Sequence, residues 1–149
     1  MHRATGLVIV VAVALVGASC GGGGKKQLDK EHYASALTKL CLLGSDQVRE
    51  LHVDNTVAAW KHAGDELVKI EENFQKKFDA LTPPDEIADA AREYRDANAK
   101  VLEDTRDAVS AAKDGDAAKL LAALQKSNTD NQDTWPPAQE IGATGCFPG

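Results

Sequence analysis

Three cysteines, at positions 20, 41 and 146, give this sequence its widest choice of chemistry. A cysteine thiol can carry a lipid, pair with a second thiol in a disulfide, or bind a metal ion. Cys20 stands between an apolar run, residues 7–19, and four glycines, residues 21–24, whereas Cys41 and Cys146 lie far apart in the remaining chain. No Cys-x-x-Cys pair and no adjacent histidine accompanies these two, which disfavours a metal site.

The first 19 residues have the order of an export signal. A basic start around Arg3 precedes the apolar run, which is shorter than the roughly 20 apolar residues that cross a bilayer. Three small residues then lead to Cys20, as in a signal that is removed. The junction resembles a bacterial lipobox, which implies that Cys20 receives a diacylglycerol group and becomes the new N-terminus. Gly17 replaces the aliphatic residue of that motif, so secretion with cleavage after Ala18 or Ser19, without lipid, is the alternative.

The sequence therefore predicts three segments. Residues 1–19 form a signal peptide, residues 20–27 a lipid-anchored, glycine-rich tether, and residues 28–149 a single domain. The glycines and the basic pair Lys25 and Lys26 are typical of a flexible linker. The predicted location is the outer face of the plasma membrane, with the membrane contacted through the lipid on Cys20.

An exported protein with three cysteines has one left over if the other two are paired, and lipid on Cys20 accounts for it. We therefore predict a disulfide between Cys41 and Cys146, which an oxidising compartment allows to persist. Such a bond closes a loop on the order of 100 residues, for which chain entropy predicts roughly 4 to 5 kcal/mol of stabilisation. Metal binding by these two thiols is the less favoured alternative.

The charge composition bears on partners. The chain has 17 basic and 23 acidic side chains and a formal net charge of -6. Binding to a phosphate backbone depends on clusters of Lys and Arg, so nucleic acid is not an expected partner. The acidic residues are interspersed with basic ones, which indicates a solvated surface rather than an acidic binding tail.

From residue 28 onward the apolar residues recur with a helical period, and no segment alternates as a strand does. We predict an all-α fold, an up-and-down bundle of three to four antiparallel helices stapled by the disulfide. The first helix begins near Asp29 with an apolar stripe of Tyr33, Ala36, Leu37, Leu40 and Cys41. The second follows Asp54 and Asn55, and its apolar face includes Val57, Trp60, Ala63, Leu67, Ile70, Phe74 and Phe78. The third carries Ile87, Ala91, Tyr94, Ala97, Val101, Ala108 and Ala112, and the fourth turns inward Leu120, Leu121, Leu124 and Asn128.

Glycines, prolines and capping residues predict where these helices end. An interruption of the first helix is expected at Gly44, Ser45 and Asp46, and the hinge between the second and third at Pro83 and Pro84. Asp114, Gly115 and Asp116 end the third helix and cap the fourth. Trp135, Pro136 and Pro137 break or kink the fourth helix, with one more turn from Ala138 to Ile141. Favourable i,i+4 ion pairs are expected between Asp65 and Lys69, and between Glu72 and Lys76.

Several of these features occur together: the first-helix cysteine, a Phe-x-x-Leu-x-Pro-Pro hinge, a following Ala-x-x-Tyr, and a glycine-containing tail that ends in cysteine. The residues concerned are Cys41, Phe78, Leu81, Pro83, Pro84, Ala91, Tyr94, Gly142 and Cys146. In this combination the chain resembles small helical lipoproteins and secreted proteins of actinobacteria. The resemblance covers most of the mature chain and implies a helical fold and a location outside the cytoplasm. The class is largely of unknown function.

Catalytic patterns are missing from the sequence. The histidines that follow the signal, His32, His52 and His62, are not spaced to present two imidazoles on one helix face. His62 and Glu66 are one helical turn apart, which fits a surface pair better than a metal site. Nucleophile elbows, phosphate loops and paired catalytic carboxylates are likewise not recognisable. We therefore expect no enzymatic activity and no cofactor.

Two functions fit these features. The favoured one is a non-catalytic interaction or scaffold module at the cell envelope, with an envelope protein as partner. The alternative is a bundle that binds a small apolar molecule or lipid, for which aromatic residues supply the candidate lining: Trp60, Phe74, Phe78 and Trp135. Such a bundle needs an apolar cavity of about 300 Å³ or more between its helices.

Overall fold

The computed structural model describes residues 27–147, and all regular structure in this range is helical. Four long helices follow one another, α1 (Lys30–Glu50), α2 (Val57–Asp79), α3 (Ala88–Asp114) and α4 (Ala117–Gln132), and a short helix completes the set, α5 (Trp135–Ile141). Single 3₁₀ turns lie at Asp85–Ile87 and Thr144–Cys146. The predicted signal (residues 1–19), most of the predicted tether and the last two residues lie outside the described range.

The long helices form an antiparallel up-and-down bundle, which confirms the predicted fold class. Helix α3 is central: α2 packs on one side, α4 on another, and α5 on its N-terminal half. Helix α1 packs on α2 and on the C-terminal turn Thr144–Cys146. A disulfide joins Cys41 to Cys146 across 105 residues of chain, as predicted. It connects the middle of α1 to the tail that follows α5.

Side-chain caps fix the starts of three helices. The Asp29 carboxylate accepts the His32 N–H at 2.9 Å, the Thr56 hydroxyl oxygen accepts the Ala59 N–H at 3.2 Å, and the Asp116 carboxylate accepts the Lys119 N–H at 3.0 Å. Left-handed glycines end two helices: Gly115 (φ 75°) after α3 and Gly142 (φ 89°) after α5. Only glycine adopts this conformation without steric cost.

The predicted interruption of α1 is wrong. Helix α1 continues through Gly44, Ser45 and Asp46 to Glu50. One glycine costs a helix only about 1 kcal/mol, and Asp46 gains an ion pair with Arg49 one turn later. Ser45 and Asp46 are solvent-exposed, so their side chains need no cap position to be satisfied.

The face of α4 also differs from the prediction. Leu120 is buried and Leu124 partly buried, but Leu121 (48% exposed) and Asn128 point to solvent. Helix α4 packs mainly against α3, so a single narrow stripe meets the core. The expected break after α4 is confirmed, although the new helix begins at Trp135 rather than Ala138, because prolines suit the first turn of a helix.

The predicted i,i+4 ion pairs within α2 are wrong as well. Asp65 pairs with Lys113 (2.7 Å), and Glu72 pairs with Arg106 (2.8 Å), both across to α3. Lys69 pairs instead with Glu66 at 3.1 Å. Because α3 runs antiparallel beside α2, its cations are nearer to these carboxylates than cations one turn away. Exposed pairs of this kind contribute little energy and mainly favour one register of α2 on α3.

The core is divided into two clusters along the bundle. The lower cluster surrounds Phe78 and contains Tyr33, Leu37, Ile87, Ala91, Tyr94 and Ile141. The upper cluster surrounds Trp60 and contains Leu67, Ala108, Val109, Ala112 and Leu120. Both clusters and the disulfide lie within residues 27–147, so this segment has a complete core of its own. The layer between the clusters contains polar side chains.

Close approach of α2 to α3 depends on Gly64. A Cβ atom at this position would lie 2.6 Å from Cγ2 of Val109, far inside van der Waals contact. Gly44 in α1 provides a contrast, because its Cβ would meet only Cδ2 of Phe74 at an ordinary 3.9 Å. The two helical glycines therefore have opposite roles, since one is required for packing and the other only weakens its helix.

We expect Gly64→Ala to lower the free energy of unfolding by about 1 to 3 kcal/mol, because the added methyl overpacks the α2–α3 contact. The matched change Gly44→Ala should raise it by roughly 0.5 to 1 kcal/mol through helix propensity. Urea denaturation followed by circular dichroism measures both. A Gly64→Ala variant as stable as Gly44→Ala would contradict the close packing described here.

Candidate functional site

A cleft of about 510 Å³ opens between the two core clusters. We call it the central cleft; its walls include Ser45 and Val48 of α1, Glu71 and Phe74 of α2, Asn98 of α3, and Trp135 of α5. Its volume lies within the range of about 300 to 1,000 Å³ typical of small-molecule sites.

The central cleft exists because α1 leaves the core before it ends. Tyr33 and Leu37 in its first half are fully buried, whereas every side chain from Ser45 to the end of the helix at Glu50 is exposed. The tail closes the cleft on this side, because Cys41, Cys146, Gly145 and Phe147 belong to the lining. The disulfide therefore forms part of the wall.

Gly145 allows the tail to lie directly on α1. A Cβ atom there would be 2.8 Å from the backbone oxygen of Thr38 and 2.9 Å from Cγ of Leu42. The backbone oxygen cannot move aside as a side chain can, so a larger residue at 145 would push the tail away from α1. This contact and the disulfide set the width of the cleft at its α1 wall.

Glu71 is the most unusual residue of the cleft. The Thr105 hydroxyl lies 3.1 Å from its Oε1 and 3.0 Å from the Val101 carbonyl oxygen, so these two acceptors share one proton. Its Oε2 is buried and has no hydrogen-bond partner. Burial raises the pKa of Glu71 to about 7, although the Thr105 hydrogen bond and the positive charge of Arg106 act to lower it. Near neutral pH this carboxyl group is therefore poised between its two protonation states.

Three other polar side chains of the cleft, Asn98, Tyr94 and Thr134, have hydrogen-bonding contacts. The Asn98 side chain donates to the Tyr94 carbonyl oxygen at 2.9 Å, and the Tyr94 hydroxyl lies 3.2 Å from Sγ of Cys41. Thr134 donates its hydroxyl to the Asn131 carbonyl oxygen at 2.7 Å. Burial raises the pKa of Tyr94 to about 12, so this phenol stays neutral. These bonds fix the side chains before any ligand binds.

Two of the four aromatic residues proposed as ligand-lining are in the cleft, and two are not. Phe74 and Trp135 line it. Phe78 is fully buried in the lower cluster, where it packs edge-on against Tyr94 at a centroid distance of 5.3 Å. Trp60 is buried in the upper cluster. Helical spacing placed all of these residues on inward faces but did not distinguish the core from the cleft.

Sequence reasoning missed Glu71, yet a signal for it exists. Leu67, Glu71, Phe74 and Phe78 are spaced by three and four residues, so Glu71 occupies an inward position of α2. A carboxylate at such a position is rare in a plain core and marks a buried polar site.

A second buried carboxylate has a structural role. Asp104 of α3 is 1% exposed, and its Oδ1 accepts a hydrogen bond from Nζ of Lys126 in α4. Lys126 also donates to Oδ2 of Asp130 at 3.0 Å, and these hydrogen bonds hold the pKa of Lys126 above its usual range. The Lys126 side chain remains 59% exposed. The cluster therefore ties α4 to α3 and adds no reactive group to the cleft.

The remaining findings concern Cys20, metal binding and membrane-spanning helices. Cys20 lies outside the described residues. Across residues 27–147 no group of three or more His, Cys, Asp or Glu side chains is arranged to hold a metal ion. In that same part of the chain, no helix combines the length and the apolar character needed to cross a membrane.

Comparisons with protein-family models, with curated proteins and with solved structures find no match to this chain. The candidate site therefore rests on the geometry of the cleft and on Glu71.

Replacing Glu71 by glutamine should remove a pH-dependent loss of stability. The pKa of Glu71 is raised in the fold, from 4.5 to about 7, so the folded state holds its proton over a pH range where the unfolded state has lost it. Stability therefore falls as pH rises from about 4.5 to 7, and the unfolding free energy of Glu71→Gln minus that of the unaltered protein should grow by roughly 2 to 3 kcal/mol between pH 5 and pH 8.

Urea denaturation at half-unit pH steps measures this difference. Glu103→Gln is the matched control, because it neutralises an exposed carboxyl group on α3. A difference for Glu71→Gln that is flat with pH, or one that Glu103→Gln reproduces, would contradict the burial of the Glu71 carboxyl group.

Proposed function

We propose that this chain is a non-catalytic binding module of the cell envelope, anchored to the outer face of the plasma membrane by lipid on Cys20, whose central cleft holds a small amphiphilic molecule. The observation that carries the proposal is the cleft itself: about 510 Å³ between two packed clusters, with one buried carboxylate oxygen that lacks a partner. A core built only for stability would fill this volume with apolar side chains.

The composition of the walls supports binding of a molecule with an apolar body and a polar end. Phe74, Trp135 and Val48 offer apolar surface, while Glu71 and Asn98 offer polar atoms. This combination of an apolar lining with few convergent polar groups is typical of ligand pockets. The exposed second half of α1 leaves a route for entry from solvent.

The proposed anchor is compatible with the position of the first described residues. The Gln27 side chain donates to the Pro83 carbonyl oxygen at 3.2 Å and to Oδ1 of Asp85 at 3.1 Å, and the Leu28 N–H donates to the Thr82 carbonyl oxygen at 3.2 Å. The start of the domain is thus held at the hinge between α2 and α3. In this proposal the tether joins the hinge end of the bundle to the membrane.

An interaction or scaffold function is the second candidate. It is favoured by large apolar side chains that the bundle leaves exposed: Leu42, Leu43, Val48 and Leu121. Three of them lie on α1 beside the cleft, where an envelope protein can cover them. Crosslinking in intact cells tests this candidate, and reproducible crosslinks to no protein would count against it.

Binding in the cleft is tested with N-phenyl-1-naphthylamine, an uncharged probe that fluoresces in apolar surroundings. Residues 27–149 should bind it saturably with one site per chain. Ser45→Trp, which adds a bulky side chain at the cleft wall, should weaken binding by about tenfold or more. Gln47→Trp is the matched control, because Gln47 is equally exposed on α1 but does not line the cleft. Non-saturable fluorescence, or equal loss in both variants, would contradict the proposed site.

The anchor is tested separately on the full chain by intact mass and cell fractionation. We expect a mature protein that begins at Cys20, carries added lipid mass and sediments with membranes. Cys20→Ala should abolish the lipid mass and release the protein from membranes. A mature protein that begins at Ser19 or Cys20 without added lipid would favour ordinary secretion and overturn the anchor while leaving the cleft proposal intact.

A further inference from the structure

We propose that the central cleft selects cationic amines, with the ammonium group paired with the Glu71 carboxyl group and the apolar body against Phe74 and Trp135. This inference rests on the proposed function, since it assumes that the cleft binds a ligand and adds which class of ligand it prefers. The chemistry is that of a protonated primary or secondary amine on an aromatic or alkyl body.

The charge of the lining supports a cation. Among the described residues that line the cleft, Glu71 is the one side chain that can carry a charge near neutral pH, and no Lys, Arg or His accompanies it. Burying an anion beside this carboxyl group would place two like charges in a low-dielectric site. A cation in the same place gains a charge-assisted hydrogen bond, so fatty acids and phosphates are disfavoured relative to amines.

The unpaired oxygen of Glu71 supports a hydrogen-bond donor. Oε1 shares the Thr105 proton with the Val101 carbonyl oxygen, and Oε2 is buried without a partner, so the carboxyl group lacks a full set of donors. An unsatisfied buried acceptor costs free energy that a donor recovers, and a charged donor recovers more than a neutral one. Asn98, whose side-chain amide donates to the Tyr94 carbonyl oxygen, also lines the cleft.

The aromatic walls support the same class. The faces of Phe74 and Trp135 carry the negative part of a ring quadrupole, which attracts a cation as well as an apolar body. The acidic net charge of the whole chain, -6, adds a field that concentrates cations rather than anions near the opening.

Charged groups outside the cleft leave Glu71 without a dedicated cation. On α3, Arg106 lies close enough to act on Glu71 but its guanidinium is hydrogen-bonded to Glu72 at 2.8 Å. On α1, Arg49 pairs with Asp46, and on α4, Lys126 is held between Asp104 and Asp130. None of these residues lines the cleft. A ligand ammonium in the cleft is therefore the cation that would pair with the Glu71 carboxyl group.

The test uses three probes that share one ring system and differ only in the head group: 1-naphthylmethylamine, 1-naphthalenemethanol and 1-naphthoate. Isothermal titration of residues 27–149 at pH 8 should give the tightest binding for the amine, about tenfold or more tighter than for the alcohol. The carboxylate should bind weakest. This order isolates the charge of the head group, because the apolar contacts stay the same.

Glu71→Gln is the decisive variant. It keeps the size of the side chain, and it should bring the amine to within about twofold of the alcohol while leaving the affinity for the alcohol nearly unchanged. Glu103→Gln removes an equal charge from an exposed position on α3 and should retain the preference for the amine. A long-range effect of net charge would instead act in both variants alike.

The pH dependence gives a second readout on the unaltered protein. The bound ammonium favours the ionised form of Glu71, so the affinity for the amine should fall as pH is lowered from 8 to 5.5, while the affinity for the alcohol should not. At pH 7 amine binding should release part of a proton, which titrations in buffers of different ionisation enthalpy measure. Glu71→Gln should abolish this release.

The outcomes separate the two levels of the proposal. If none of the three probes binds, the proposed binding function is wrong together with this inference. If the alcohol binds as tightly as the amine, the cleft is a binding site without the proposed selectivity. If the preference for the amine survives Glu71→Gln, or if the naphthoate binds tightest, the assignment of the ammonium to Glu71 is overturned.

Discussion

The disulfide between Cys41 and Cys146 is the constraint on which the arrangement of the cleft depends. Helix α1 buries only Tyr33 and Leu37 completely, so apolar burial holds its first half far better than its second. The covalent link joins the middle of α1 to the tail, and Gly145 lets that tail lie against Thr38. A closed loop of 105 residues also removes entropy from the unfolded chain. The same bond therefore stabilises the bundle and fixes one wall of the cleft.

The layer between the two core clusters carries a cost that the rest of the fold offsets. Glu71 and Asp104 each have a buried oxygen without a partner, and such groups lower stability. Asp104 compensates through Lys126, which ties α4 to α3. Glu71 receives only the Thr105 hydroxyl on its other oxygen. Sequences that fold well break such rules mainly at functional sites. Because Asp104 has a cationic partner in Lys126 and Glu71 has no such partner in the cleft, Glu71 is the centre of the functional argument.

The helical period of the apolar residues, together with the prolines and capping residues between helices, was sufficient to predict much of the fold. The helical stripes, the caps at Asp29 and Asp116, the hinge at Pro83 and Pro84, and the disulfide all follow from local rules or from counting cysteines. The interruption predicted at Gly44 is wrong because the free-energy cost of one helical glycine is small compared with the contacts that continue α1 beyond it. The i,i+4 ion pairs predicted within α2 are wrong because spacing within one helix does not reveal which helix packs beside it.

The cleft itself was not predictable from spacing, because it arises where several helices and the tail leave a gap between them. Phe74 and Phe78 share one stripe of α2, yet only Phe74 faces the cleft, since Tyr33 and Tyr94 enclose Phe78. That difference depends on the path of α1 in space. The sequence does contain one readable sign, a carboxylate at an inward position of α2, and its meaning becomes clear only when the neighbouring volume is seen to be open.

The position of Glu71 also links stability to binding. In the unliganded protein, ionising this carboxyl group at neutral pH costs free energy, because burial disfavours its charge. A cation that pairs with the Glu71 carboxyl group removes the penalty from the folded state and has no equivalent site in the unfolded chain. Ligand binding therefore stabilises the bundle by mass action and by relieving this internal cost. A purely apolar ligand would provide only the first of these two contributions, and its effect would not depend on the protonation state of Glu71.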